Sequence, residues 1–159
     1  MKKLLKVSSL LAIIAGVILV AGGIWGICFT YQNIAQEKIV TPEDATISKV
    51  EVRGPFTLKA QVDIIRKHTL ESTGGKTFSE MPRQIPKLEN GLPVLDAEGK
   101  PVMVSNTARD IWITATTLNT ALNLGILTYV FSGLILLFGL ISIWTGIVFR
   151  TLSKQGNFV

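Results

Sequence analysis

The sequence is short of the groups on which most site chemistry depends. It holds one histidine, His68, and one cysteine, Cys28. A lone cysteine excludes an intrachain disulfide. Structural and catalytic metal sites draw on three or four ligands. With one His and one Cys, only Asp63, His68 and Glu71 share a segment, at a spacing common by chance; a hydrogen-bonded or packed histidine is the better expectation. The acids are dispersed among Lys and Arg, as on a solvated surface. Acidic residues are absent from both ends, since all eleven Asp and Glu lie between residues 37 and 110. Charge is absent altogether from residues 7–31 and 121–149. Ion pathways and proton relays within membranes are marked by ionisable residues, and neither run offers one.

The two uncharged runs dominate what is present. Each exceeds the roughly 20 apolar residues that cross a hydrocarbon core of about 30 Å. They are read as transmembrane helices at 7–31 and 121–149. The whole +5 excess comes from Lys2, Lys3 and Lys6 before the first run and from Arg150 and Lys154 after the second, because the middle segment is formally neutral. Short basic flanks stay cytoplasmic, while a long intervening loop can be translocated whatever its charge. The expected order is a cytoplasmic N-terminus at 1–6, an extracytoplasmic domain at 32–120 and a cytoplasmic C-terminus at 150–159. The basic balance is therefore a topology signal. Nucleic-acid binding would need basic residues clustered on a folded face, and none is predicted. The first run is too long for a signal-peptide core, and its exit Phe29-Thr30-Tyr31-Gln32 lacks a small-x-small cleavage site. Cys28 follows Ile27, where a lipoprotein needs a small residue. The first helix is thus expected to be retained, from about residue 4 to 36. Trp25, Phe29 and Tyr31 gather toward its outer end, where amphipathic rings favour the headgroup layer.

Between the runs the pattern predicts a small α+β insert of one or two helices and a β-hairpin. Thr41-Pro42-Glu43-Asp44 reads as a turn with Pro second. Residues 47–53 alternate apolar and polar, as a half-buried strand does, and Gly54-Pro55 breaks the run. Residues 59–73 read as a helix with Ala60, Ile64, Ile65 and His68 on one face, ended by Gly74-Gly75. Thr77-Phe78-Ser79-Glu80 has capping-box spacing, and Pro82 stops what it starts. Residues 92–104 read as a hairpin around Asp96-Ala97-Glu98-Gly99, made solvent-facing by Pro93 and Pro101. Ser105 or Asn106 then caps the last helix. Its stripe Ile111, Ala115, Leu118 and Leu122 is expected to face the outer domain or a partner, with Thr114, Thr117 and Thr120 on another side.

Residues Ala60-Gln61-Val62-Asp63-Ile64-Ile65 and His68-Thr69-Leu70-Glu71-Ser72-Thr73-Gly74-Gly75-Lys76-Thr77-Phe78 resemble a family of small two-span actinobacterial membrane proteins. Residues 113–122, approaching the second span, are also similar. With the terminal helices, the likeness covers most of the chain; residues 82–86 and 88–104 depart from it. Members often carry the default label of aromatic-ring-opening dioxygenase. The residues here oppose that chemistry, because a non-haem iron site takes two His and a carboxylate and ring cleavage needs an enclosed pocket. The resemblance implies the two-span topology and a bacterial envelope setting. Proteins of this build also occur as accessory subunits of actinobacterial respiratory complexes.

Gly74-Gly75-Lys76-Thr77 matches the end of a phosphate-binding loop, but that pattern needs glycine where this chain has Leu70. Helix termination followed by a new cap accounts for it better. The spans say more. Small residues at spacings of four let helix backbones approach where lipid gives little hydrophobic drive. Ala12 and Gly16, Gly22 and Gly26, Gly125, Gly133, Gly139 and Gly146 are the candidate packing positions. No residue is assigned to catalysis, a cofactor or a metal. The expected architecture is mainly α, a two-helix transmembrane hairpin with a small extracytoplasmic insert. The expected function is a non-enzymatic accessory or scaffold subunit of a larger bacterial membrane complex, with membrane lipids and other integral subunits as partners and the respiratory cytochrome bc–oxidase supercomplex as the first guess. The alternative is a free-standing envelope protein whose outer domain binds a small ligand or lipid in an apolar pocket between the helix at 59–73 and the helix around Trp112.

Overall fold

The computed structural model describes residues 2–155; Met1 and residues 156–159 of the expected C-terminal tail lie outside them. The chain is mainly α. Two long apolar helices, α1 (Lys2–Gln36) and α3 (Thr107–Gln155), pack together, with α2 (Pro55–Ser72) and small β-hairpins between them in sequence. At about 1.5 Å per residue, α1 runs for about 50 Å and α3 for more than 70 Å. Both are long and apolar enough to cross a membrane, and their apolar side chains are mostly exposed.

After α1 the chain turns back on itself. The turn forms over Pro42 to Ala45, where Ala45 N–H donates to the Pro42 carbonyl at 3.2 Å, one residue later than expected. The strand expected at 47–53 does not form. Lys49 adopts φ 56°, which interrupts an extended run, and Glu51 makes only an isolated antiparallel bridge to Val40. The Thr41 hydroxyl holds the loop by accepting from Val50 N–H at 3.0 Å and donating to the Val50 carbonyl at 3.1 Å.

Gly54-Pro55 starts α2 instead of merely ending the segment before it. Pro at the first helical position loses no hydrogen bond and has the right φ, so the helix begins one turn earlier than the pattern predicts. That extra turn carries Leu58, which is fully buried. Leu58, Val52 and Leu122 form the core, surrounded by Ile34, Ile39, Val62, Ile65, Ile126 and Tyr129. The Tyr129 hydroxyl donates to the Arg53 carbonyl at 2.5 Å, tying α3 to the loop that enters α2. Ala60 and Ile64 are buried as expected, but His68 is exposed and lies outside that face. The helix ends in a Schellman arrangement: Gly75 N–H reaches the Leu70 carbonyl at 2.7 Å and Gly74 N–H the Glu71 carbonyl at 3.3 Å. Both glycines have positive φ, which only glycine adopts freely.

Thr77 then caps a short 3-10 turn, Phe78–Glu80, with Glu80 accepting from Thr77 N–H at 2.7 Å. That bond, with the Thr77 hydroxyl, lowers the Glu80 pKa. The ribbon beyond it differs from the expected single hairpin. β2 (Leu88–Glu89) pairs with β3 (Leu92–Pro93) across Asn90-Gly91, while β1 (Gln84–Pro86) pairs with β4 (Met103–Ser105). The expected turn at Asp96–Gly99 does form, with Gly99 N–H donating to the Asp96 carbonyl at 3.1 Å and Asp96 N–H to the Lys100 carbonyl at 2.8 Å, beside an isolated bridge from Leu95 to Pro101. Asn106 caps α3: its Oδ1 accepts from Ala108 N–H at 3.1 Å and its Nδ2 donates to the Pro82 carbonyl at 2.9 Å. The Arg109 guanidinium lies 3.7 Å from the Phe78 ring centre and donates to the Met81 carbonyl at 2.6 Å, which fixes the 3-10 turn to the start of α3.

Candidate functional site

The longest continuous contact in the molecule is the seam between α1 and α3. The buried residues of α1 are Ser9, Gly16, Gly23 and Thr30, and those of the facing part of α3 are Ser132, Gly139, Gly146 and Ser153, so each helix repeats one small residue every seven. The order is antiparallel, because Ser9 meets Gly146, Gly16 meets Gly139 and Gly23 meets Ser132. A strict repeat of seven keeps the seam in register only if the helices wrap left-handedly.

Small side chains here place backbone against backbone. A Cβ on Gly16 would lie 2.7 Å from the Gly139 carbonyl oxygen, and one on Gly139 would lie 2.7 Å from Val20 N and 2.9 Å from the Gly16 oxygen. On Gly23 it would meet the Ser132 oxygen at 2.9 Å, and on Gly146 the Ser9 oxygen at 2.9 Å. Two hydroxyls cross the seam: Ser9 Oγ donates to the Gly146 carbonyl at 2.7 Å, and Ser142 Oγ to the Ala12 carbonyl at 2.8 Å. Each bond satisfies a hydroxyl on the helix–helix seam.

The candidate packing residues separate into two groups. Ala12, Gly16, Gly139 and Gly146 lie on the seam, as does Gly26, whose added Cβ would collide with the Ser132 hydroxyl. Gly125 sits just beyond it, where its Cβ would touch Leu58 at 3.3 Å and Ile34 at 3.4 Å. Gly22 and Gly133 have nothing within 4 Å, so they take no part in the α1–α3 seam. Ser9, Gly23, Thr30, Ser132 and Ser153 are seam residues that the search at spacing four missed. Their signal is the spacing of seven.

Toward the Gln36 end of the hairpin, two grooves of about 430 Å³ or more lie among the described residues. One, of about 480 Å³, lies between α1, α3 and the start of α2, walled by Ile34, Leu58, Leu122, Leu124 and Gly125 with Asn33 and Glu37 among its lining residues. The other, of about 430 Å³, follows α3 farther out along Ile65, Ile111, Ala115 and Leu118. The expected stripe is therefore split: Leu122 is in the core, while Ile111 and Leu118 are exposed. This second groove lies where an apolar pocket was expected, between α2 and the helix around Trp112, whereas the space directly against Trp112, among Arg66, Thr69 and Asn119, is only about 20 Å³.

His68 is held in a surface cluster. Asp44 accepts from its Nε2 and from Lys67 Nζ, both at 2.9 Å. These bonds, His68 first, lower the Asp44 pKa to about 2. The cluster tethers the 37–53 loop to α2. Among the described residues no group of three or more His, Cys, Asp or Glu is placed to hold a metal ion. No protein-family model, curated protein or solved structure matches the chain.

Proposed function

We propose that this chain is a membrane-anchored, non-enzymatic accessory or scaffold subunit of a larger bacterial membrane complex. In this reading α1 and α3 cross the bilayer as a stiff hairpin, and the segment between them covers an extracytoplasmic face of the partner. Membrane insertion is supported by exposure: only 11% of the most apolar stretch of each helix is buried within the chain. The core helix of a soluble protein would hide most of that surface. Antiparallel pairing also brings Lys6, Arg150 and Lys154 to one end of the hairpin, the arrangement of a hairpin with both termini cytoplasmic.

The observation that carries the scaffold role is the apolar surface on the segment between the two spans, which this reading sets outside the hydrocarbon. The groove along Ile65, Ile111, Ala115 and Leu118 opens there, and Leu88, Leu92 and Leu95 stand on the ribbon 57–71% exposed. Exposed apolar surface of this kind marks protein–protein contact. On the family resemblance alone, the first partner to test is an actinobacterial respiratory supercomplex. The experiment is extraction in mild detergent through a C-terminal tag, followed by sizing and mass spectrometry. Co-elution with integral membrane subunits is expected, and a stable lone monomer with an ordered outer segment overturns the proposal.

The groove of about 480 Å³ favours one second reading, a free-standing envelope protein that binds a small apolar ligand or lipid, since ligand pockets span about 300–1,000 Å³. Gly125→Phe fills this groove. Loss of a bound small molecule with no change in protein partners would favour the second reading; unchanged co-elution without any bound molecule favours the first.

A further inference from the structure

At the opposite end of the hairpin, the seam opens into a cleft of about 440 Å³ lined by Lys6, Ser9, Leu10, Ile13, Arg150, Ser153 and Lys154. Three cationic side chains from two helices converge on it. Every Asp and Glu of the chain lies between residues 37 and 110, and among the described residues none of these three cations forms a salt bridge with a carboxylate. The Ser9 and Ser153 hydroxyls already donate to the Gly146 and Arg150 carbonyls and retain lone pairs only. The cleft therefore presents positive charge at its mouth and Leu10 and Ile13 one to two turns farther along α1, toward the middle of the span.

We propose that this cleft seats one anionic phospholipid of the cytoplasmic leaflet. Its phosphodiester lies among Lys6, Arg150 and Lys154, and an acyl chain runs down over Leu10 and Ile13. Arg150 offers a planar fork that matches two phosphate oxygens, and the lysines act as point charges. A headgroup that also carries an ammonium would set that charge against three cations, so the site prefers phosphatidylglycerol to phosphatidylethanolamine. Basic flanks that served only to orient the chain would need neither a cleft nor an apolar wall below it. Basic pockets between membrane helices on the cytoplasmic side are the recurring form of such lipid sites. The inference rests on the membrane placement proposed above.

The test is native mass spectrometry of the full-length protein in neutral detergent, titrated with phosphatidylglycerol and phosphatidylethanolamine of identical chains. One phosphatidylglycerol should be retained per chain in preference to phosphatidylethanolamine. Each basic residue near a headgroup contributes a factor of about five in affinity, from about 1 kcal/mol. The double variant Lys6→Gln/Arg150→Gln should thus weaken retention about 25-fold, with Lys2, Lys3 and Lys154 left to hold the topology. Leu10→Trp, which blocks the apolar wall and keeps every charge, should also weaken it. Equal retention of the two lipids, no loss in either variant, or displacement by millimolar inorganic phosphate overturns the proposal. A chain that stays soluble without detergent would instead sink the membrane placement, whereas a detergent-dependent chain with no lipid preference sinks the cleft alone.

Discussion

Replacing Gly139 with alanine is the sharpest perturbation of the seam. The added methyl would sit 2.7 Å from Val20 N, 2.8 Å from Val20 Cγ2 and 2.9 Å from the Gly16 carbonyl oxygen. Two of these atoms belong to the α1 backbone, so no side-chain rotation relieves them. The helices must part by about half an ångström or more, and a gap of about 0.5–1 Å forfeits a quarter to a half of each dispersion contact it opens. The nearby Ser142 bond to the Ala12 carbonyl, 2.8 Å long, is stretched too; interhelical hydrogen bonds in membranes average about 0.6 kcal/mol. Overpacking costs about 1–3 kcal/mol, which is the expected loss. Gly133→Ala is the matched control, on the same helix with nothing within 4 Å of the added carbon; it should change stability by no more than about 0.5 kcal/mol. The assay is SDS-induced separation of the two helices in mixed micelles, read by energy transfer between labels at Lys3 and Thr151. Equal behaviour of the two variants would refute the backbone-contact account of the seam.

Other consequences follow for the outer segment. Leu58→Ala empties the centre of the Val52–Leu122 core and should cost about 3 kcal/mol, read as faster amide exchange in residues 39–53; unchanged exchange would contradict the core assignment. Tyr129→Phe removes the 2.5 Å bond to the Arg53 carbonyl and should cost about 1 kcal/mol, with local loosening of the loop that enters α2; wild-type exchange there would contradict it. Asp44, with its pKa lowered to about 2 by His68 and Lys67, tethers its loop as a carboxylate. That tether is present above an ordinary aspartate value of about 3.9 and is lost as pH falls toward 2. NMR titration of the Asp44 carboxyl should find the depressed value, and His68→Ala should raise it; a midpoint near 4 in the wild type would dissolve the cluster.

Much of the architecture was legible in residue order, because its signals are local. Uncharged runs of more than 20 residues, Gly74-Gly75 after a helix, Thr77 three before Glu80 and Asn106 before Thr107 each act within a few residues. The misreadings share a cause, a local rule that a neighbour overrode. Gly54-Pro55 reads as a breaker, yet Pro55 starts α2, and the most deeply buried leucine follows at once. Residues 47–53 alternate as a strand does, but Lys49 at φ 56° and the lack of a second pairing partner leave a bridge. The hairpin reading named only Asp96–Gly99, whose turn does form, and passed over Asn90-Gly91, a strong two-residue turn signal around which the structure builds β2 and β3.

The seam was half legible. Its glycines Gly16, Gly26, Gly139 and Gly146 were found, but the pairing was sought at intervals of four, which favours right-handed crossings. An antiparallel pair in register over three heptads spaces its contacts at seven, and only then do Ser9, Gly23 and Ser132 join the set. The groove between α2 and the helix around Trp112 was expected, but the one walled by Ile34, Leu58 and Leu122 was not, since its walls come from three elements whose mutual placement is a tertiary outcome. His68 is the opposite case. Its hydrogen-bonded character was expected, but its partner, Asp44, lies 24 positions away in a loop whose path no periodicity reveals.

The central claim is that two spans divide the chain, with the ends on one side of a bilayer and the middle on the other. Labelling of intact cells with a membrane-impermeant maleimide tests it directly, in a Cys28→Ser background with a single cysteine placed at Asn90 or at Lys154. The account predicts that the cysteine at position 90 reacts at once and the one at 154 only after the membrane is permeabilised. Equal reaction of both in intact cells, or protection of position 90, would contradict it.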